Sequence, residues 1–145
     1  MIISEKIPSQ LDLIPDFIHN FMEKIKVLSL GHDEIFDIKL SLEEALVNAI
    51  KHGNKMNLNQ IVEFQADIID TQLIIKVTNA GPGFDFTSIP DPTEKDRLER
   101  TSGRGIFLIK KLMDKVEFSD CGRTIKMVKF FRKGDKSEHS PRESF

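Results

Sequence analysis

Residues 41–55 read SLEEALVNAIKHGNK, and their spacing predicts a helix with two chemically different sides. At about 100° per residue, Leu42, Ala45, Leu46, Ala49 and Ile50 gather on one side, a stripe suited to a core. Glu44, Asn48, Lys51 and His52 gather opposite. Glu44 and Asn48 stand at i and i+4, so a carboxylate and an amide address the same object. An ordinary solvated helix face satisfies this pattern. So does a site in which Glu44 is a general base and Asn48 a neutral oxygen ligand for Mg²⁺, and position alone does not choose between them.

The surrounding chain supplies the fold class. This helix opens near Asp33 and stops at Gly53, where glycine suits a helix end. Before it, MIISEKI (1–7) reads as a short strand ended by Pro8, and Ser9 is expected to cap a first helix. Its apolar residues Leu11, Ile14, Phe17, Ile18, Phe21, Ile25 and Leu28 recur at helical spacing as far as Gly31. After it, residues 61–69 and 73–78 are β-rich, and Asp70-Thr71 suits a tight hairpin. Residues 79–104 are broken by prolines and glycines and carry no core pattern, the mark of a functional or disordered loop. A short helix is expected at roughly 105–113, then strands near 115–119 and 124–131. The order β-α-α-β-β-loop-α-β-β predicts an α+β fold in two layers, a mostly antiparallel mixed sheet with helices on one face. One domain is expected over residues 1–133, followed by a flexible C-terminal tail over 134–145 with tail composition.

Composition mostly excludes. In 145 residues, 21 basic side chains face 23 acidic ones, a net charge of −2, which argues against direct nucleic-acid binding. No run approaches about 18 apolar residues, so no membrane span is expected. The N-terminus lacks a secretory pattern. The one cysteine, Cys121, permits neither an internal disulfide nor a multi-thiolate metal site. A cytoplasmic protein is the expectation.

Two glycine clusters add to the polar stripe. Strand 73–78 runs into Asn79-Ala80-Gly81-Pro82-Gly83-Phe84, where glycines let backbone approach a flat ligand closely. Ser102-Gly103-Arg104-Gly105 stands directly before Ile106, and free amides at a helix start attract phosphate. Taken singly, the first is a turn and the second a hinge. Neither matches GxxxxGK[ST] or a dinucleotide fingerprint.

In combination these segments carry a resemblance. EEALVNAIKHGNK (43–55) resembles the N box, NAGPGFD (79–85) the first glycine box, and SGRGIFLIKKLMDKVEF (102–118) the second glycine box of the GHKL ATPase/kinase superfamily. Within it, the short chain resembles the bacterial anti-sigma factor serine/threonine kinases, over roughly residues 5–132. The resemblance implies the Bergerat ATP-binding fold, with ATP and Mg²⁺ as cofactors. It implies Glu44 as the base that deprotonates a substrate serine or threonine, and Asn48 as the Mg²⁺ ligand beside the nucleotide. Lys51 and His52 would lie near the phosphates, and Asn79, Gly81 and Gly83 would border the adenine pocket. Residues 86–102 would form the ATP lid, and Gly103, Arg104 and Gly105 would lead the phosphates to a helix start. Thr124 would lie near the base. The implied partners are a sigma factor and an anti-sigma antagonist, with a homodimer as the expected assembly.

One position departs. The family's first glycine box begins with Asp, whose carboxylate accepts from the adenine amino group, and this chain has Asn79. The amide oxygen still accepts, but the NH₂ end needs partners. A mispaired buried polar group costs about 1–3 kcal/mol. Either ATP binds more weakly, or a neighbouring group compensates, or base choice relaxes toward guanine. Asn79 therefore favours a rival reading, a partner-switching module of the same fold with weak or absent nucleotide binding. Glu44 and Asn48 together favour the kinase.

Overall fold

Alternating burial along the strands decides the layering. In β2 (Ile61–Ile69), Val62, Phe64 and Ala66 are buried while Ile61, Glu63 and Gln65 between them are exposed. In β3 (Gln72–Thr78), Leu73, Ile75 and Val77 are buried in the same rhythm. A period of two on a pleated strand puts these side chains on one face, and that face needs a cover. The helices provide it. The computed structural model describes residues 2–81 and 101–132. Gly83, residues 86–100 of the expected lid and the expected tail at 134–145 lie outside the described residues.

Five strands form one sheet in the order β1-β2-β3-β5-β4, with β1 at Ile2–Pro8, β4 at Lys115–Ser119 and β5 at Thr124–Phe130. Every described pairing is antiparallel. The β2–β3 hairpin turns through Asp70, which takes a left-handed φ of 55°. On the apolar face lie α1 (Ile14–Lys24), α2 (His32–Val47) and α3 (Thr101–Leu112). Phe64 sits at the centre of this contact, with Phe17 and Phe21 of α1 edge-on to its ring at 4.8 and 5.1 Å. Ile38, Leu42, Ala45 and Leu46 bury the predicted stripe of α2 in the same core. The α+β two-layer arrangement, with helices on one face, stands as expected.

Three local expectations change. The first helix is not continuous: short 3₁₀ turns at Leu11–Leu13 and Ile25–Leu28 flank α1, whose first turn holds Pro15, a residue suited to a helix start. Ser9 is not its cap. The Ser9 hydroxyl is buried and donates to the Gln60 carbonyl at 2.6 Å, tying the end of β1 to the approach to β2. Gly31 opens α2 rather than closing α1, its N–H donating to Glu34 Oε1 at 2.8 Å.

A buried ion pair crosses the layers. Lys129 of β5 donates to Asp37 Oδ2 of α2 at 2.7 Å and to the Leu112 carbonyl, at the end of α3, also at 2.7 Å. Both side chains are almost fully buried. Removing one partner of such a pair leaves an uncompensated charge and costs about 3–5 kcal/mol, whereas replacing both with apolar residues is often neutral. Asp37→Ala is therefore expected to lower the urea midpoint sharply, and Asp37→Leu combined with Lys129→Met to recover most of it. Equal losses in the single and double variants would show that the pair is not an energetic unit.

Candidate functional site

The helical ladder of α2 widens where the polar stripe meets the end of the core. Residues Asn48–Gly53 form a π turn, in which the Asn54 N–H donates to the Ala49 carbonyl at 2.8 Å. Such turns are uncommon and recur at functional sites. Here the turn carries Asn48, Lys51 and His52, and it ends on Gly53. That glycine is not in a left-handed conformation. It is required by proximity: a Cβ at Gly53 would stand 2.3 Å from Cγ and Nδ2 of Asn79.

The first glycine box closes on the same point. A Cβ at Gly81 would stand 1.8 Å from the Gly53 carbonyl oxygen, so backbone passes backbone with no room for a side chain. Asn79 is buried between them, and both ends of its amide are engaged. Its Oδ1 accepts from the Gly81 N–H at 3.0 Å and its Nδ2 donates to the Arg123 carbonyl at 3.3 Å. Arg123 in turn donates from Nε to the Gly81 carbonyl at 2.7 Å. The NH₂ end that the sequence left in want of a partner has one. An aspartate would instead set a carboxylate oxygen against the Arg123 carbonyl, so an amide suits this position.

The second glycine box meets the polar stripe of α2. A Cβ at Gly105 would lie 2.6 Å from Glu44 Oε1 and 3.5 Å from Asn48 Nδ2, so both side chains stand over this one backbone position. α3 begins at Thr101, four residues ahead of expectation, and Gly103 and Gly105 lie inside it. The free amides of the helix start belong to its first turn, ahead of Gly105. What calls for glycine at 105 is the Glu44 carboxylate. Burial raises the pKa of Glu44 above the ordinary carboxylate value; the neighbouring Glu43 adds to this and Arg104 opposes it. Burial and then the Lys51 charge lower the pKa of His52. Lys51 and Arg104 are exposed beside the site.

Between α2, α3 and the sheet lies a cavity of about 20 Å³, bordered by Asn48, Ala49, Val77, Asn79, Ile106 and Phe118 among others. It has room for about one water molecule, so a purine would need its walls to part. Thr124 is not on this border; its hydroxyl pairs with that of Thr78 at 2.9 Å across β3 and β5. A larger cavity of about 490 Å³ lies between α1 and α2, lined by residues such as Ile14, Ile18, Met22 and Ile35, and none of the site residues borders it. Among the described residues no three His, Cys, Asp or Glu side chains cluster as metal ligands, and no helix is long and apolar enough to cross a membrane. Cys121 is exposed in a turn where it and Asp120 both take left-handed φ.

Sequence reasoning missed Asn54 and Arg123. Asn54 directly follows Gly53 in the decisive stretch, and nothing in its spacing distinguishes it from a turn residue. Two substitutions separate the glycine roles. Gly105→Ala gains helix propensity, worth up to about 1 kcal/mol, and meets only the end of a flexible side chain. It is expected to retain or raise the melting temperature while displacing the Glu44 carboxylate. Gly81→Ala meets backbone, and is expected to lower the melting temperature by many degrees. Thermal denaturation of both checks this; a Gly81→Ala protein as stable as the wild type contradicts the close approach.

Comparison with known proteins identifies the family. The family described as "Histidine kinase-like ATPase domain" matches residues 7–129. The serine-protein kinase RsbW of Staphylococcus aureus strain JH9 is 34% identical over 110 residues, covering 70% of this chain and 69% of that protein. RsbW of strain Newman matches to the same extent. With a family match spanning nearly the whole described fold, the chain belongs to the histidine kinase-like ATPase domain family of the GHKL superfamily.

Proposed function

We propose that this chain is an ATP-dependent serine/threonine protein kinase of the anti-sigma type, one that binds a sigma factor and phosphorylates an anti-sigma antagonist. The observation that carries the reading is the convergence of Glu44 and Asn48 on Gly105, which sets a carboxylate and an amide over one place just past the first turn of α3. The similarity to a serine-protein kinase supports the choice of acceptor.

In this reading Glu44 accepts the proton of the acceptor hydroxyl as its oxygen bonds to the γ-phosphorus, and the bond from that phosphorus to the bridging oxygen breaks to release ADP. A base works best when its pKa lies toward the working pH, and burial moves Glu44 that way. The donor set suits Mg²⁺: Asn48 offers a hard amide oxygen, and this ion ordinarily completes its shell with phosphates and water rather than an all-protein cage. When bound, the ion neutralises charge on the phosphate oxygens. Asn79 and Gly81 would border the base, Lys51, His52 and Arg104 would stand near the phosphates, and Gly103 and Gly105 would let backbone approach them. Gly83 and Thr124 complete the proposed set. A cytoplasmic homodimer is part of the same proposal.

A second reading, a partner-switching module without phosphate transfer, is favoured by Asn79 alone, whose amide is already engaged at both ends. Incubation with radiolabelled ATP and a candidate antagonist separates the two. Transfer of label to serine or threonine is expected. Glu44→Gln should bind ATP within two-fold of the wild type while transferring about 100-fold more slowly or worse. Label transfer should also fall on the acid side at a higher pH than an ordinary carboxylate would set, since protonated Glu44 cannot accept a proton. ATP binding without transfer supports the module, and transfer undiminished in Glu44→Gln removes Glu44 as the base.

A further inference from the structure

We infer that Asn54 is a positioning residue for the base end of the nucleotide site, acting through the backbone amide of Ala80; the inference rests on the nucleotide reading above. Asn54 is 2% exposed, and each of its hydrogen-bonding groups is in use. Its Oδ1 accepts from the Ala80 N–H at 2.7 Å. Its Nδ2 donates to Ser9 Oγ at 2.9 Å and to the Ile61 carbonyl at 3.2 Å. Its own N–H closes the π turn on Ala49, and its carbonyl accepts from Asn57 N–H at 3.0 Å.

The consequence lies in what these bonds join. Ala80 stands between Asn79 and Gly81, the two residues expected to border the base, and Asn54 ends the turn that carries Asn48. A carboxamide is a short side chain that offers an acceptor and two donors together. Asn54 uses the acceptor on the glycine box and the donors on the exit of β1 and the entry of β2. The glycine box is thereby fixed relative to the sheet edge as well as to the Mg²⁺ end of the site, and the orientation of the Asn79 amide follows from it. A residue serving only the turn would not need the bond to Ala80.

Three variants of the full chain separate positioning from stability. Ser9→Ala removes one bond of the network and leaves Asn54 on Ala80. Asn54→Asp keeps an acceptor for Ala80 and loses both donors. Asn54→Ala loses all three side-chain bonds and keeps the backbone ones. All three are expected to melt below the wild type. At a temperature where each is folded, titration calorimetry is expected to show about ten-fold weaker binding of ATP, and equally of ADP, for Asn54→Ala alone. Asn54→Asp and Ser9→Ala should stay within about three-fold of the wild type. Amide exchange in the wild type gives a check that needs no variant, with the Ala80 N–H expected to be protected. ATP affinity unchanged in Asn54→Ala overturns the inference, as does an equal loss in Ser9→Ala or a freely exchanging Ala80 amide. A wild-type protein that binds no ATP overturns the nucleotide reading itself, and the inference with it.

Discussion

The turn that follows α2 and the chain just past β3 meet without clearance, Gly53 against the Asn79 side chain and Gly81 against the Gly53 carbonyl. Most of the site depends on that contact. Two chain segments from opposite layers approach this closely only where neither carries a Cβ, and any side chain there would pry the layers apart. Because they do meet, the Asn79 amide is clamped between Gly81 and Arg123, Asn54 reaches Ala80, and Asn48 stands at the cavity between α2, α3 and the sheet. The constraint is one of clearance, and hydrogen bonds then fix orientation within the clearance it sets.

A second close approach is of another kind. At Gly105 the neighbour is the end of a charged side chain, and the missing Cβ leaves space for a carboxylate. Glu44 is desolvated there and lies beside Glu43, with Arg104 as a partial counterweight. Its ionised form is held at a cost, which makes it a better proton acceptor than an exposed glutamate. The near-neutral charge of the chain fits such a site. Under the proposed function, phosphates held by helix-start amides and a shared cation would need no basic surface.

Much of this was legible in the sequence, and the exceptions have physical causes. Strands β2 and β3 show themselves by alternation, because one face is buried and the other wet. The apolar stripe of α2 shows itself because its residues up to Leu46 follow the ordinary helical period. Beyond Val47 the chain enters a π turn, yet Ala49 and Ile50 are buried and Lys51 is exposed, as a wheel drawn at the α-helical angle has them. The interruption leaves no mark in composition. Ser9 looked like a cap because capping needs only a hydroxyl before a helix, while its actual bond reaches 51 residues along the chain. Gly53 was read correctly as a stop for the wrong reason: the left-handed residues there are Lys55 and Met56. Lys129 sets a charge at an inward position of β5, in phase with buried Ile125 and Met127, and only the position of Asp37, 92 residues away, accounts for it.

The buried Lys129 also bears on how the site can open. It grips the last carbonyl of α3, Leu112, and is itself locked to α2 through Asp37. Seven residues separate Leu112 from Gly105, about 10 Å of helix. A helix anchored at one end cannot slide along its axis; it can only swing about the anchor. Room for a base beside Ile106 would then come from a tilt of α3, with its Thr101 end travelling furthest and Leu112 staying put. Opening at the nucleotide end would thus proceed as a lever turning on a fulcrum set in the core.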